Sequence, residues 1–275
     1  MITFDIGLGG YSILQNANQD GGKTMSYIIS TPNRKVIVID GGRACDADDL
    51  RTKIMHYGGT VHMWHISHAH NDHIGAFIDI MEDKREIKVE SIYWDFPPLD
   101  WMLDIQPGNI RANVIFPKII EQNKDISTRV QRGMKFLLDG LELEILSDSH
   151  HYSETNNINE TSVAYRIKFP NKVKAIFLAD MMEMSGRRLA YEYGDELKAD
   201  IVQIAHHGQR GVPRQVYELI EPKLCLWPTP QHIWENDNGD GYNTGPWRTL
   251  QIQDWLDEIG VKKHGIMKDG EIIVI

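Results

Sequence analysis

The run His68-Ala69-His70-Asn71-Asp72-His73 constrains this chain more than any other segment. Three imidazoles and a carboxylate fall within six residues. They lie directly after a strand-like stretch at 62–66 and directly before a helix-like stretch at 74–81. A strand that gives way to a helix keeps the backbone rigid on both sides, so the turn between them can aim its side chains at one point. Imidazole and carboxylate suit Zn²⁺, and they also suit Mn²⁺ or Fe²⁺. A lone histidine in a turn is ordinarily a solvated polar residue; three histidines with an aspartate at this spacing point to metal.

The surrounding pattern predicts where the run sits. Residues 25–30 and 36–39 are rich in strand formers, are separated by Thr31-Pro32-Asn33-Arg34, and end at Asp40-Gly41-Gly42. Residues 46–57 read as a helix with Leu50, Ile54 and Tyr57 on one face. Further strands are expected at 88–94, 135–138, 141–146, 162–169, 173–179 and 201–205, with Asp139-Gly140 as a hairpin turn. Helices are expected at 111–123 and 183–193, and a short hairpin around Lys268-Asp269-Gly270. Strands come in groups with helices between the groups, in both halves. No solenoid repeat and no Gly, Ser or Pro linker divides the chain. Two packed sheets covered by helices fit this order better than one doubly wound sheet, and all 275 residues are expected to form one domain.

Charge narrows the partners. Against 29 Lys and Arg stand 39 Asp and Glu, a net charge of −10. Two bound divalent ions would change this only to about −6, so extended nucleic acid is a poor partner. Cys45 and Cys225 are too few for a disulfide framework or a cysteine-rich zinc knuckle. Both are expected to be small buried residues in a reducing, cytoplasmic setting. No apolar run approaches the ~20 residues of a membrane span, and the first residues lack the basic and apolar regions of a signal peptide.

The His-x-His-x-Asp-His motif at a strand end resembles the signature of the metallo-β-lactamase-fold hydrolases. Val36-Ile37-Val38-Ile39-Asp40-Gly41-Gly42 is similar to the strand that precedes it in such proteins. Phe177-Leu178-Ala179-Asp180 resembles their strand ending in a metal-bridging aspartate, with Ala179 where glycine is usual. The segment from Asp200 to His206-His207-Gly208, with Asn159-x-x-Ser162 upstream, resembles one branch of the family. That branch includes the hydrolase domain of the competence protein ComEC/Rec2 and a phosphorylcholine esterase. The resemblance spans residues 25–227 in order.

It implies an αββα four-layer sandwich of the α+β class, two mixed sheets flanked by helices. It also implies two divalent ions, foremost zinc: His68 and His70 on the first, Asp72 and His73 on the second, and Asp180 bridging. One of His206 and His207 completes the second site, with His207 favoured. His151, or else His150, is the candidate for a further ligand on the first. Adjacent side chains on a strand end point to opposite sides, so only one of the pair is expected to ligate. The other, His206, is then a candidate general acid. The implied activity is attack by metal-bound hydroxide on a small or modular phosphodiester. Alternatives on the same fold are carboxylic ester, lactone, thioester or β-lactam hydrolysis, or metal binding without catalysis. Asp40 is expected to support a metal-bound imidazole. Trp64, Trp94, His62 and His65 read as structural and Lys23 as solvated, while residues 228–247 and the Trp101 loop are expected to wall a pocket over the metals.

Overall fold

A computed structural model describes residues 1–275. Its layering follows from the alternation of side chains along each strand. In Val36–Asp40 every residue is buried, because both faces are covered. Ile37 and Ile39 point between the sheets, where they meet Tyr27, Tyr165 and Phe177. Val36 and Val38 point outward, where they meet Leu50, Ile54, Phe77 and Ile78 from the helices Ala47–His56 and Asn71–Glu82. The second sheet repeats the arrangement. Ile176, Val202, Cys225 and Trp227 face outward onto Leu189, Val216, Tyr217 and Leu256 from the helices Glu183–Tyr193, Arg214–Ile220 and Thr249–Ile259. The result is a helix–sheet–sheet–helix sandwich, as the sequence implies.

The first sheet has eight strands in the order Ile2–Phe4, Ile272–Val274, Ser12–Gln15, Ser26–Ser30, Val36–Asp40, Met63–Ile66, Ile92–Trp94 and Ser127–Arg129. The second has seven, in the order Lys135–Leu138, Leu141–Ile145, Tyr165–Lys168, Lys174–Phe177, Ile201–Gln203, Leu224–Trp227 and Lys263–Ile266. Both are mixed. Val36–Asp40 runs parallel to Met63–Ile66, and Lys174–Phe177 runs parallel to Ile201–Gln203. The candidate residues follow the carboxyl ends of these four strands, which is where parallel strands leave room for a site.

Several expectations are corrected. The turn at 268–270 does not join a hairpin. Lys263–Ile266 pairs with Leu224–Trp227 in the second sheet, whereas Ile272–Val274 crosses to the first. Burying Ile272 and Val274 between the sheets outweighs the local turn signal. Residues 88–94 split into Lys88–Val89 and Ile92–Trp94. The helix at 111–123 opens with a π turn, Arg111–Ile115, before Phe116–Gln122. Cys225 is buried as expected, but Cys45 is exposed. No helix is long and apolar enough to cross a membrane.

Candidate metal centre

The site draws on three turns and one strand end. The strand Met63–Ile66 passes into Ser67 and His68. His70, in extended conformation, is the residue preceding the helix Asn71–Glu82. The helix therefore starts earlier than its apolar pattern indicates, and Asp72 and His73 stand in its first turn. An acidic residue there also suits the helix dipole. In the second sheet, Asp180 follows Lys174–Phe177, and His206 and His207 follow Ile201–Gln203. Asp40, Ala179, His206 and His207 all have positive φ, between 50° and 57°. Non-glycine residues in this left-handed region are uncommon, and they gather where a site over-determines the backbone. Gln203 is what holds Ala179: its Oε1 accepts from the Ala179 N–H at 2.7 Å and its Nε2 donates to the Ala179 carbonyl at 3.2 Å.

These turns aim their side chains at Asp180. Its Oδ1 lies 3.3 Å from His73 Nε2 and 3.5 Å from His207 Nε2. Asp72 Oδ2 is 3.4 Å from the same His207 nitrogen. The other oxygen of Asp180, Oδ2, lies 3.8 Å from His68 Nε2 and 3.9 Å from His206 Nε2. His70 Nδ1 is 3.1 Å from His68 Nε2. Each ring is also held from behind. Asp40 Oδ2 contacts His73 Nδ1 at 2.7 Å, and Ser67 Oγ lies 3.1 Å from His68 Nδ1. Gln106 Nε2 is 3.0 Å from His70 Nε2. The carbonyls of Pro228 and Arg210 accept from Nδ1 of His207 and His206 at 2.7 and 3.1 Å.

Four inward atoms are buried without a hydrogen-bond partner: Asp72 Oδ2, His73 Nε2, Asp180 Oδ1 and His207 Nε2. Buried polar atoms are normally satisfied, so four orphans around one point call for a missing partner. The donor set is nitrogen and carboxylate oxygen, as divalent transition metals require. Two groups of three residues bring their donor atoms within 4.8 Å of one another: His68, His73 and Asp180, and Asp72, His73 and His207.

The sequence matches no protein-family model and no curated protein. Solved structures do match. The metallo-β-lactamase fold protein YhfI from Bacillus subtilis aligns over 96% of this chain and 98% of its own, with a TM-score of 0.54 and 12% identity. CmlA, a diiron β-hydroxylase from Streptomyces venezuelae, aligns over 93% of this chain and 52% of its own, with a TM-score of 0.56 and 11% identity. This chain has the metallo-β-lactamase fold.

Within that fold the charges of the cluster compensate one another. Burial is the largest influence on Asp180 and raises its pKa, but the nearby His207, His73 and His206 outweigh it and hold the carboxyl well below its usual range. Asp72 is held low in the same way, against burial, by His207 and His73. Burial pushes His207 down, yet Asp180 and Asp72 carry it up to about 9; Asp180 and Asp40 raise His73 likewise. Burial dominates at His68, His70 and His206 and keeps all three low. The carboxylates thus favour protons on His73 and His207, with which an incoming metal would compete.

The fold brings together His68, His70, Asp72, His73, Asp180 and His207 from the sequence-derived set. It also brings in His206, because the left-handed turn at both histidines directs both Nε2 atoms to Asp180. A sharp turn before Gly208 thus lets both members of the pair approach the centre. His151 is not brought in. It lies on the 3₁₀ turn Ser149–Glu154, where Asp148 caps the turn and Glu154 Oε1 binds His151 Nδ1 at 2.6 Å; its neighbour His150 is exposed. Asp40 supports His73 as expected. The loop at 228–247 braces the site from behind: besides the Pro228 carbonyl, Thr229 Oγ1 donates to the His207 carbonyl at 2.8 Å. Gln106 and Gln203 act across 36 and 24 residues, a separation that no local pattern encodes, whereas Ser67, next to His68, has no signal that sets it apart from an ordinary turn serine.

Proposed function

We propose that the protein is a dinuclear metal-dependent hydrolase whose substrate is a small or modular phosphodiester. The observation that carries the metal-dependent reading is the set of four buried inward atoms with no partner, on Asp72, His73, Asp180 and His207. Asp72, His73, His207 and Asp180 Oδ1 would hold one ion; His68, His70 and Asp180 Oδ2 would hold the other. When bound, the ions supply Lewis acidity and lower the pKa of water toward ~7. The chain's own contribution is orientation. Asp40 keeps the His73 proton on Nδ1, and the Pro228 carbonyl does the same for His207, so both Nε2 atoms are free to ligate.

His206 is reassigned from general acid to ligand of the first ion. Its Nδ1 proton is committed to the Arg210 carbonyl, and its Nε2 accepts from Asn159 Nδ2 at 3.2 Å. Nε2 faces Asp180 Oδ2 beside His68, and its one lone pair would exchange the Asn159 contact for the ion. His206 thereby fills the place for which His151 was the candidate. The phosphodiester assignment is supported by the His206-His207-Gly208 element, similar to that of the phosphodiester-cleaving branch, and by an acidic chain ill suited to long polyanions. A reducing, cytoplasmic location accords with the two unpaired cysteines.

The test combines elemental analysis for zinc, manganese and iron, on protein purified without chelator, with hydrolysis of bis-p-nitrophenyl phosphate, p-nitrophenyl acetate and a chromogenic β-lactam. About two ions per chain and turnover of the diester are expected. Turnover of only the acetate or the lactam would move the assignment to the ester or lactam class. Less than one ion per chain, not restored by added Zn²⁺ or Mn²⁺, would refute the dinuclear reading.

A further inference from the structure

We propose that Lys23 recognises an anionic oxygen of the substrate. This rests on the hydrolase reading above and specifies its substrate. The Lys23 ammonium stands 3.6 Å from Asp72 Oδ2, with 41% of the side chain exposed, and Asp72 is its one charged partner. It opens onto a cleft of about 480 Å³ that it shares with Asn71, Gln106, Asn109 and two of the candidate ligands, His70 and Asp72. In that lining Lys23 is the only Lys or Arg and Asp72 the only carboxylate.

Asp72 Oδ2 is also one of the four orphaned inward atoms. A divalent ion held by that oxygen would bring like charge against the Lys23 ammonium at close range. The ion pair seen here would then weaken, and the cleft offers Lys23 no second carboxylate. A ligand anion could then take the place of the carboxylate beside Lys23. The loop that carries Lys23 is fixed from below. Arg43 pairs with Asp20, the Gly22 N–H donates to Asp20 Oδ1 at 2.9 Å, and Asn18 Nδ2 donates to the Gly22 carbonyl at 2.6 Å. The Lys23 backbone is therefore held while its four-carbon side chain swings over the mouth. One cation beside neutral amides fits one anionic oxygen of a small ligand. A polynucleotide would need a row of basic residues along the cleft.

The experiment is calorimetric titration of zinc-loaded protein with dimethyl phosphate, a monoanion, and with neutral trimethyl phosphate. Wild type is compared with Lys23→Gln and Lys23→Arg, and zinc content is measured in each. Lys23→Gln is expected to weaken dimethyl phosphate roughly 10- to 100-fold, the loss of a charge-assisted hydrogen bond. Trimethyl phosphate should be unaffected, Lys23→Arg should retain most of the affinity, and zinc content should stay at the wild-type value. Equal binding of dimethyl phosphate by wild type and Lys23→Gln, or no binding by wild type, would overturn the proposal. So would zinc loss in Lys23→Gln, because Lys23 would then act only on Asp72. If wild type fails to hydrolyse bis-p-nitrophenyl phosphate while Lys23→Gln still weakens dimethyl phosphate, the hydrolase reading falls and anion recognition stands. Turnover of the diester with binding unchanged in Lys23→Gln gives the reverse.

Discussion

Asp40→Asn should separate the support of the metal centre from the centre itself. Asp40 is fully buried and its carboxylate has three contacts: the Ser67 N–H at 2.8 Å, Ser67 Oγ at 2.7 Å and His73 Nδ1 at 2.7 Å. Asparagine matches the shape but has only one accepting oxygen. If Oδ1 stays on the Ser67 N–H, the amide NH₂ must face His73 Nδ1. Two donors cannot share that contact, so the His73 proton is driven to Nε2, the atom that faces Asp180 Oδ1. An incoming ion must then displace a proton from its own ligand atom. Removing such an outer partner typically lowers metal affinity 10- to 100-fold, or about 1.4–2.8 kcal/mol. The metal-free protein should also lose stability, by up to about 3 kcal/mol, because His73, whose charge Asp40 and Asp180 favour, loses one of its two carboxylates inside the core. Zinc affinity is read by competition with a chromophoric chelator, and metal-free stability by urea unfolding. Zinc affinity within twofold of wild type, with metal-free stability unchanged, would refute the argument that Asp40 fixes the His73 tautomer.

Asp180→Ala should remove both ions' shared ligand, dropping metal from about two equivalents to below one and abolishing hydrolysis while circular dichroism stays native; two equivalents retained would show that Asp180 is not the bridge. His207→Ala and His206→Ala should each lower metal content, by elemental analysis; full metal in His206→Ala with a 10²- to 10⁴-fold slower rate would return His206 to the role of proton donor. Metal-free stability should fall as pH rises. His207, at about 9 in the folded state against about 6.5 unfolded, contributes in full below pH 6.5 and loses its contribution through pH 9, on the order of 3 kcal/mol. Zinc affinity should rise across the same window, because binding expels that proton; parallel trends in the two titrations would contradict the assignment. Ala179→Gly should stay within about 1 kcal/mol of wild type, since relief of the left-handed backbone offsets glycine's entropy, whereas Ala179→Val should cost about 2 kcal/mol or more, because a β-branched side chain is a true outlier there. Thermal unfolding of the two variants checks this, and equal stabilities would contradict it.

What the sequence determined by itself was local. The candidate ligands from His68 to His73 lie within six consecutive residues, so their spacing alone pointed to metal. The helix at Glu183–Tyr193 and the buried strand at Val36–Asp40 were legible for the same reason: each depends on side chains a few residues apart, which periodicity records. The second half of the centre was legible only through family resemblance. Where each residue points was decided by packing. His73 meets Asp40 across 33 residues, and His206 meets Asn159 across 47. The left-handed turn that brings both His206 and His207 inward is held by the Arg210 and Pro228 carbonyls and by Thr229, none of them a strand or helix signal. The same limit explains His151, which sequence proximity to the site could not separate from a capped surface turn bound to Glu154. It also explains the last strand, whose partner was chosen by burial between the sheets and not by the turn before it. Local propensity fixes elements, whereas convergence of ligands from two sheets depends on how the layers stack, and that free energy is distributed over contacts far apart in the chain.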